Sequence, residues 1–88
     1  MTLKNGQAIS FSRGNVSYIF CVSDSRFCYD YVEISSPMVT IKSMGDLVNV
    51  FGDYVPVKVV CRRGDKTKTY YFNLEDLFYI SEEEEVAG

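Results

Sequence analysis

With 88 residues, 47% of them hydrophobic and 24% charged, the chain has room for one domain and enough apolar mass for its core. No apolar run approaches the ~20 residues of a membrane-spanning helix, and the start "MTLKNGQAIS" lacks the apolar segment of a secretory signal. The net charge is −3, yet Glu82, Glu83, Glu84 and Glu85 supply four of the twelve acidic residues. Without them nine Lys and Arg face eight Asp and Glu, which weighs against the evenly acidic surface of a DNA mimic.

The first structural signal is "SRGNVS". Gly14 at the first central position of a two-residue loop suits a type II′ turn, whose twist matches the strands it joins. Counting outward sets Arg13 opposite Val16, Phe11 opposite Tyr18 and Ile9 opposite Phe20, so apolar side chains meet on one face. A second turn, Asp24-Ser25 in "CVSDSRFC", places Phe20 opposite Tyr29 and Tyr18 opposite Tyr31. Residues 7 to 34 then read as a three-stranded meander with Ile9, Phe11, Tyr18, Phe20, Tyr29 and Tyr31 on its inner face.

After "SSP" the segment "MVTIK" reads as a short strand. The period then changes in "SMGDLVNVFG", where Ser43 is placed to cap, Asp46 sits three residues on and Gly52 closes a short helix. Met44, Leu47, Val50 and Phe51 share its predicted inner face. "CRRGDKT" repeats the Gly-X turn, setting Cys61 opposite Lys68, Val59 opposite Tyr70 and Val57 opposite Phe72. "NLEDLF" reads as a last helical turn capped by Asn73 with Asp76, directing Leu74, Leu77 and Phe78 inward.

The expected fold is therefore α+β, a small antiparallel sheet of five or six strands with one or two short helices on one face. A small SH3-like or Sm-like barrel, with "NLEDLFYI" as a final turn and strand, is the alternative. Residues 1–81 form the globular domain and 82–88 a disordered acidic tail.

Catalytic equipment is sparse. The chain has no His, which removes the commonest general base and the Ser-His and Cys-His pairs. It has no Walker loop, dinucleotide fingerprint or nucleophile elbow. We expect no enzymatic activity, no catalytic residues and no cofactor. Three cysteines without His leave a closed zinc site incomplete, so no metal is expected.

Cys21, Cys28 and Cys61 make an odd count, which fits a reducing compartment, and the expected location is the cytoplasm. Cys21 falls opposite Cys28 in the meander, so a bridge is geometrically open, but reduced thiols packed as small hydrophobes are the expected state. Cys61, beside Arg62 and Arg63, has the cationic setting that lowers a thiol pKa.

The basic turn carries the remaining signal. Arg62, Arg63, Lys66 and Lys68 cluster there with Asp65, and Tyr71 is the one nearby aromatic on the solvent face. Its "RGD" spells an integrin tripeptide, but Gly and Asp belong in that turn on conformational grounds alone. Single-stranded nucleic-acid readers join cations to aromatic platforms in this way, yet lysines on strand ends also block edge-to-edge association. The reading taken here is a small regulatory or inhibitory protein, of the kind viruses and mobile elements also encode. It binds another, larger protein through Arg62, Arg63, Lys66, Lys68 and Tyr71, with tail contacts from Glu82 to Glu85. An RNA- or single-stranded-DNA-binding domain using hairpin 62–68 is the alternative. Self-assembly into a homodimer through an open strand edge is the third reading, and no membrane partner is expected.

Overall fold

A computed structural model of the chain describes residues 1–81. The tail assigned to 82–88, including its contact residues Glu82 to Glu85, lies outside the described residues. The elements run β1 (Ala8–Arg13), β2 (Val16–Cys21), β3 (Tyr31–Ser35), α1 (Met44–Asn49), β4 (Pro56–Arg63), β5 (Lys66–Asn73), a single 3-10 turn (Leu74–Asp76) and β6 (Leu77–Ser81). They make two three-stranded antiparallel sheets, ordered β2-β1-β6 and β3-β4-β5.

Both Gly-X hairpins adopt the registers counted from their turns. Arg13 pairs with Val16, Phe11 with Tyr18 and Ile9 with Phe20; Cys61 pairs with Lys68, Val59 with Tyr70 and Val57 with Phe72. Gly14 and Gly64 have φ of +61° and +62°, while no non-glycine residue has positive φ. That combination is the type II′ pattern, and it requires a residue without a Cβ at the first position.

The inner faces of the two sheets meet through aromatics. Phe11 of β1 stacks on Phe72 of β5 with centroids 4.4 Å apart, and Phe20 of β2 meets Phe72 edge-on at 6.0 Å. Val32, Ile34, Val57, Val59, Leu74 and Leu77 join this core, and α1 adds Met44 and Leu47. Tyr70 lies against the core, half-buried, with Tyr18 and Phe20 around it.

The predicted meander does not form. β3 pairs with β4, setting Val32 opposite Cys61 and Ile34 opposite Val59. Its inward residues are thus Val32 and Ile34, both fully buried, and not Tyr29 and Tyr31. Aliphatic side chains carry no polar atom into the core, whereas a Tyr31 turned inward would take its hydroxyl with it. Tyr29 still reaches the Phe20 ring at 6.1 Å, but from a loop and not from a paired strand.

Three smaller expectations also change. "MVTIK" forms no strand, although Ile41 is buried. Ser43 starts α1 without a side-chain cap; the Asp46 carboxylate instead accepts the Lys42 N–H at 2.7 Å. Phe51 and Phe78 are exposed. Phe78 has a clear cause, because β1 sets Phe11 opposite Leu77 but Ser10 opposite Tyr79. The residue between them is a bulge, turned out of the ladder. "NLEDLFYI" thus forms a turn and a final strand on β1, as in the alternative reading, and Asp76 accepts the Asn73 N–H at 3.3 Å.

Candidate functional site

The five residues predicted to bind a partner do not form one patch. Strand alternation puts Arg62 and Tyr71 on the outer face of the second sheet, and Cys61, Arg63 and Lys68 on the opposite side. Tyr71 pairs with Lys58 and Arg62 with Thr67, four residues away along β5, or roughly 13 Å at strand spacing. An exposed ring, 68% accessible, is therefore present but stands apart from the basic turn. Its carbonyl accepts a hydrogen bond from the Arg13 guanidinium, which also lies over the Phe72 ring at 4.5 Å.

What the turn does meet is the segment 21–30, which the sequence reading placed elsewhere. Cys21 and Cys28 are bonded as a disulfide, with Cα atoms 5.0 Å apart, in place of the expected reduced thiols. The cause is local geometry. Tyr29 donates its N–H to the Cys21 carbonyl at 2.8 Å, which holds the two cysteines side by side. Inside the closed loop the Ser23 and Ser25 hydroxyls accept the N–H groups of Ser25 and Phe27, the short-range bonds by which serine turns a chain.

This loop is fastened to the basic turn by backbone-directed bonds. Arg63 donates from Nε to the Cys28 carbonyl at 3.0 Å and lays its guanidinium over the Tyr29 ring at 4.6 Å. Asp30 accepts the Gly64 N–H at 2.7 Å and donates its own N–H to the Arg62 carbonyl at 2.9 Å. Arg62 covers the Tyr31 ring at 4.7 Å. Two cations of the predicted site, Arg62 and Arg63, are thus partly structural. Lys66 and Lys68 are exposed and, with Arg63, Thr67, Tyr29 and Cys61, line a cleft of about 550 Å³.

In the closed loop Phe27, next to Cys28, is 78% exposed, more than any other large hydrophobic side chain among the described residues. Arg26 sits over its ring at 5.6 Å. The sequence reading missed Phe27. The signal available to it was an aromatic between two cysteines seven positions apart.

Burial pushes the Cys61 thiol up, against the pull of Tyr29, Lys68 and Arg63, so the expected lowering does not occur. Burial also pushes the Tyr29 phenol up to about 12, helped by the neighbouring Cys61. Both groups hold their protons more tightly folded than unfolded. Stability is therefore fully present below the unfolded values and lost as pH rises through the folded ones. The thermal midpoint should fall by several degrees between pH 10 and 12, and the fall should be shallower in Tyr29→Phe.

Among the described residues no group of three His, Cys, Asp or Glu is placed to hold a metal, and no helix is long and apolar enough to cross a membrane. No protein-family model, curated protein or solved structure matches this chain.

Proposed function

We propose that this protein acts without catalysis, as a small regulatory or inhibitory module that binds a larger protein through the platform of loop 21–28 and turn 62–66. The observation that carries this reading is Phe27, held out in water by a closed loop that is itself bonded to the basic turn. Aromatic side chains, Phe among them, and Arg are enriched at protein interfaces relative to the rest of the surface. A loop fixed before binding gives up less conformational freedom on contact. Phe27 would enter an apolar socket, and Arg26, Lys66 and Lys68 would face acidic groups on its rim. Tyr71 belongs to a separate outer face, and the acidic run Glu82 to Glu85 would add a contact to a basic region of the same partner.

We read the fold as a β-sandwich of two three-stranded sheets in which the last strand pairs with the first. In the cytoplasm proposed for this chain, thiol exchange would open the Cys21–Cys28 bond; in an oxidising compartment it persists. The binding test therefore runs with and without reductant.

Cations at one tip also favour the RNA- or single-stranded-DNA alternative. One experiment separates the two. The tagged protein is used to capture partners from nuclease-treated extract, beside Phe27→Ala and the double variant Lys66→Glu/Lys68→Glu. The protein reading expects capture to survive nuclease and to weaken about 30-fold in Phe27→Ala, the effect of a ~2 kcal/mol anchor. Capture that nuclease abolishes, or that Phe27→Ala leaves unchanged, would overturn it.

A further inference from the structure

The strand edges of the two sheets are not equivalent. In the β1–β2 hairpin the two-residue turn makes Arg13–Val16, Phe11–Tyr18 and Ile9–Phe20 the hydrogen-bonded pairs. The backbone N–H and C=O of Ser17 and Ile19 therefore point away from β1, toward the free edge. The bond from Tyr29 N–H to the Cys21 carbonyl, on the same side of β2, agrees with this parity and ends the open stretch at Phe20.

The other edges are closed or guarded. Residues 1–3 lie along the outer edge of β3, with Leu3 N–H on the Val32 carbonyl at 2.9 Å. The β5 edge carries Lys66 and Lys68, and Arg13 takes the Tyr71 carbonyl. The sequence beside β6 is acidic at both ends, with Glu75 and Asp76 before it and Glu82 to Glu85 after it. β6 is also bulged at Phe78, which interrupts the regular edge that a second strand would need. β2 has none of these defences. "VSYIFC" contains no charged residue, and Val16 and Ile19 are 52% and 61% exposed.

We propose that two copies of this chain associate through β2, antiparallel about Tyr18. Ser17 of each copy then lies opposite Ile19 of the other, and each such pair exchanges both backbone hydrogen bonds. The two Ile19 side chains become diagonal neighbours on the outer face, close enough to shield one another. The sheets merge into one, ordered β6-β1-β2-β2-β1-β6, about a twofold axis, the self-complementary geometry of cyclic dimers. A strand pair of this length buries well under the ~1,200 Å² of stable interfaces, so the dimer forms only as concentration rises.

The test is sedimentation velocity over a concentration series, joined to residue-resolved amide exchange. Wild type should gain mass with concentration, and the Ser17 and Ile19 amides should exchange severalfold more slowly in the concentrated sample. Ile19→Pro removes an N–H that makes no bond to β1, which an edge strand tolerates; it should remain monomeric. Thr69→Pro, the matching change on the β5 edge, should assemble like wild type. Ser17→Lys/Ile19→Lys sets lysine opposite lysine and should also stay monomeric, which covers any folding defect of the proline variant. The proposal is overturned by a wild type that stays monomeric at every concentration. Assembly of both β2 variants, or protection at Thr67 and Thr69 instead, would overturn it equally.

Discussion

Replacing Phe11 by alanine should lower the unfolding free energy by about 3–5 kcal/mol, the usual cost of emptying a buried phenyl site. The side chain is completely buried, stacks on Phe72 at 4.4 Å and meets Phe20 edge-on at 6.2 Å. It is thus one of the contacts through which the first sheet grips the second. A domain of this size has a total stability of roughly 5–10 kcal/mol, so the variant should sit near its folding threshold. Urea denaturation followed by near-ultraviolet circular dichroism measures the loss. Tyr71→Ala removes an aromatic of the same class from an exposed outer position, and its unfolding free energy should stay within about 0.5 kcal/mol of wild type. Equal losses in the two variants would refute the inward assignment of Phe11 and Phe72.

The second large effect belongs to the disulfide. Cys21 and Cys28 close a short loop with a sequence separation of 7. In the chain-entropy account such a crosslink contributes about 2–3 kcal/mol. Cys21→Ser/Cys28→Ser should therefore lower the thermal midpoint by roughly 10–20 °C. The ladders of both sheets need no bridge, so far-ultraviolet dichroism before melting should be unchanged. Amide exchange should rise in residues 22–28 and not in β4 or β5. Partner capture should weaken along with it, since an unfastened Phe27 must be ordered on contact. A midpoint that does not move would show that the bonds from Arg63 to Cys28 and from Gly64 to Asp30 already fix the loop.

The parts of the fold that could be read from the residues are those set by short-range rules. Gly14 and Gly64 dictate their turns, each turn dictates a register, and each register sends Ile9, Phe11, Tyr70 and Phe72 inward. The Asn73–Asp76 pair marks the final helical turn for the same local reason. Segment 29–35 was misread because both of its parities carry apolar residues. Tyrosine is amphipathic, and Tyr29 and Tyr31 suit either an inner face or a half-wet one. Glu33 held the deciding signal, since it shares a face with Tyr31 and would have been buried with it. The placement of β3 beside β4 joins residues as far apart as Tyr31 and Arg62, which no turn rule reaches.

The site was harder to read for the same reason. Arg62, Arg63, Lys66 and Lys68 were visible as a cluster, but two of them are fastened to residues 28–31, and nothing local reports that. Phe27 is legible only once the disulfide is known, because the bond turns an ordinary polar loop into a fixed projection.

The pairing of β1 with β6 has a temporal consequence. Ala8 lies opposite Ser81, so the first strand made waits for the last one described before its sheet is complete. The two hairpins can zip early through near neighbours, but this final ladder must close almost the whole chain into one loop, the kind of topology that slows folding. During synthesis the nascent β1–β2 ribbon therefore stands with an unfilled flank, and commitment to the native state follows only when Leu77–Ser81 emerge.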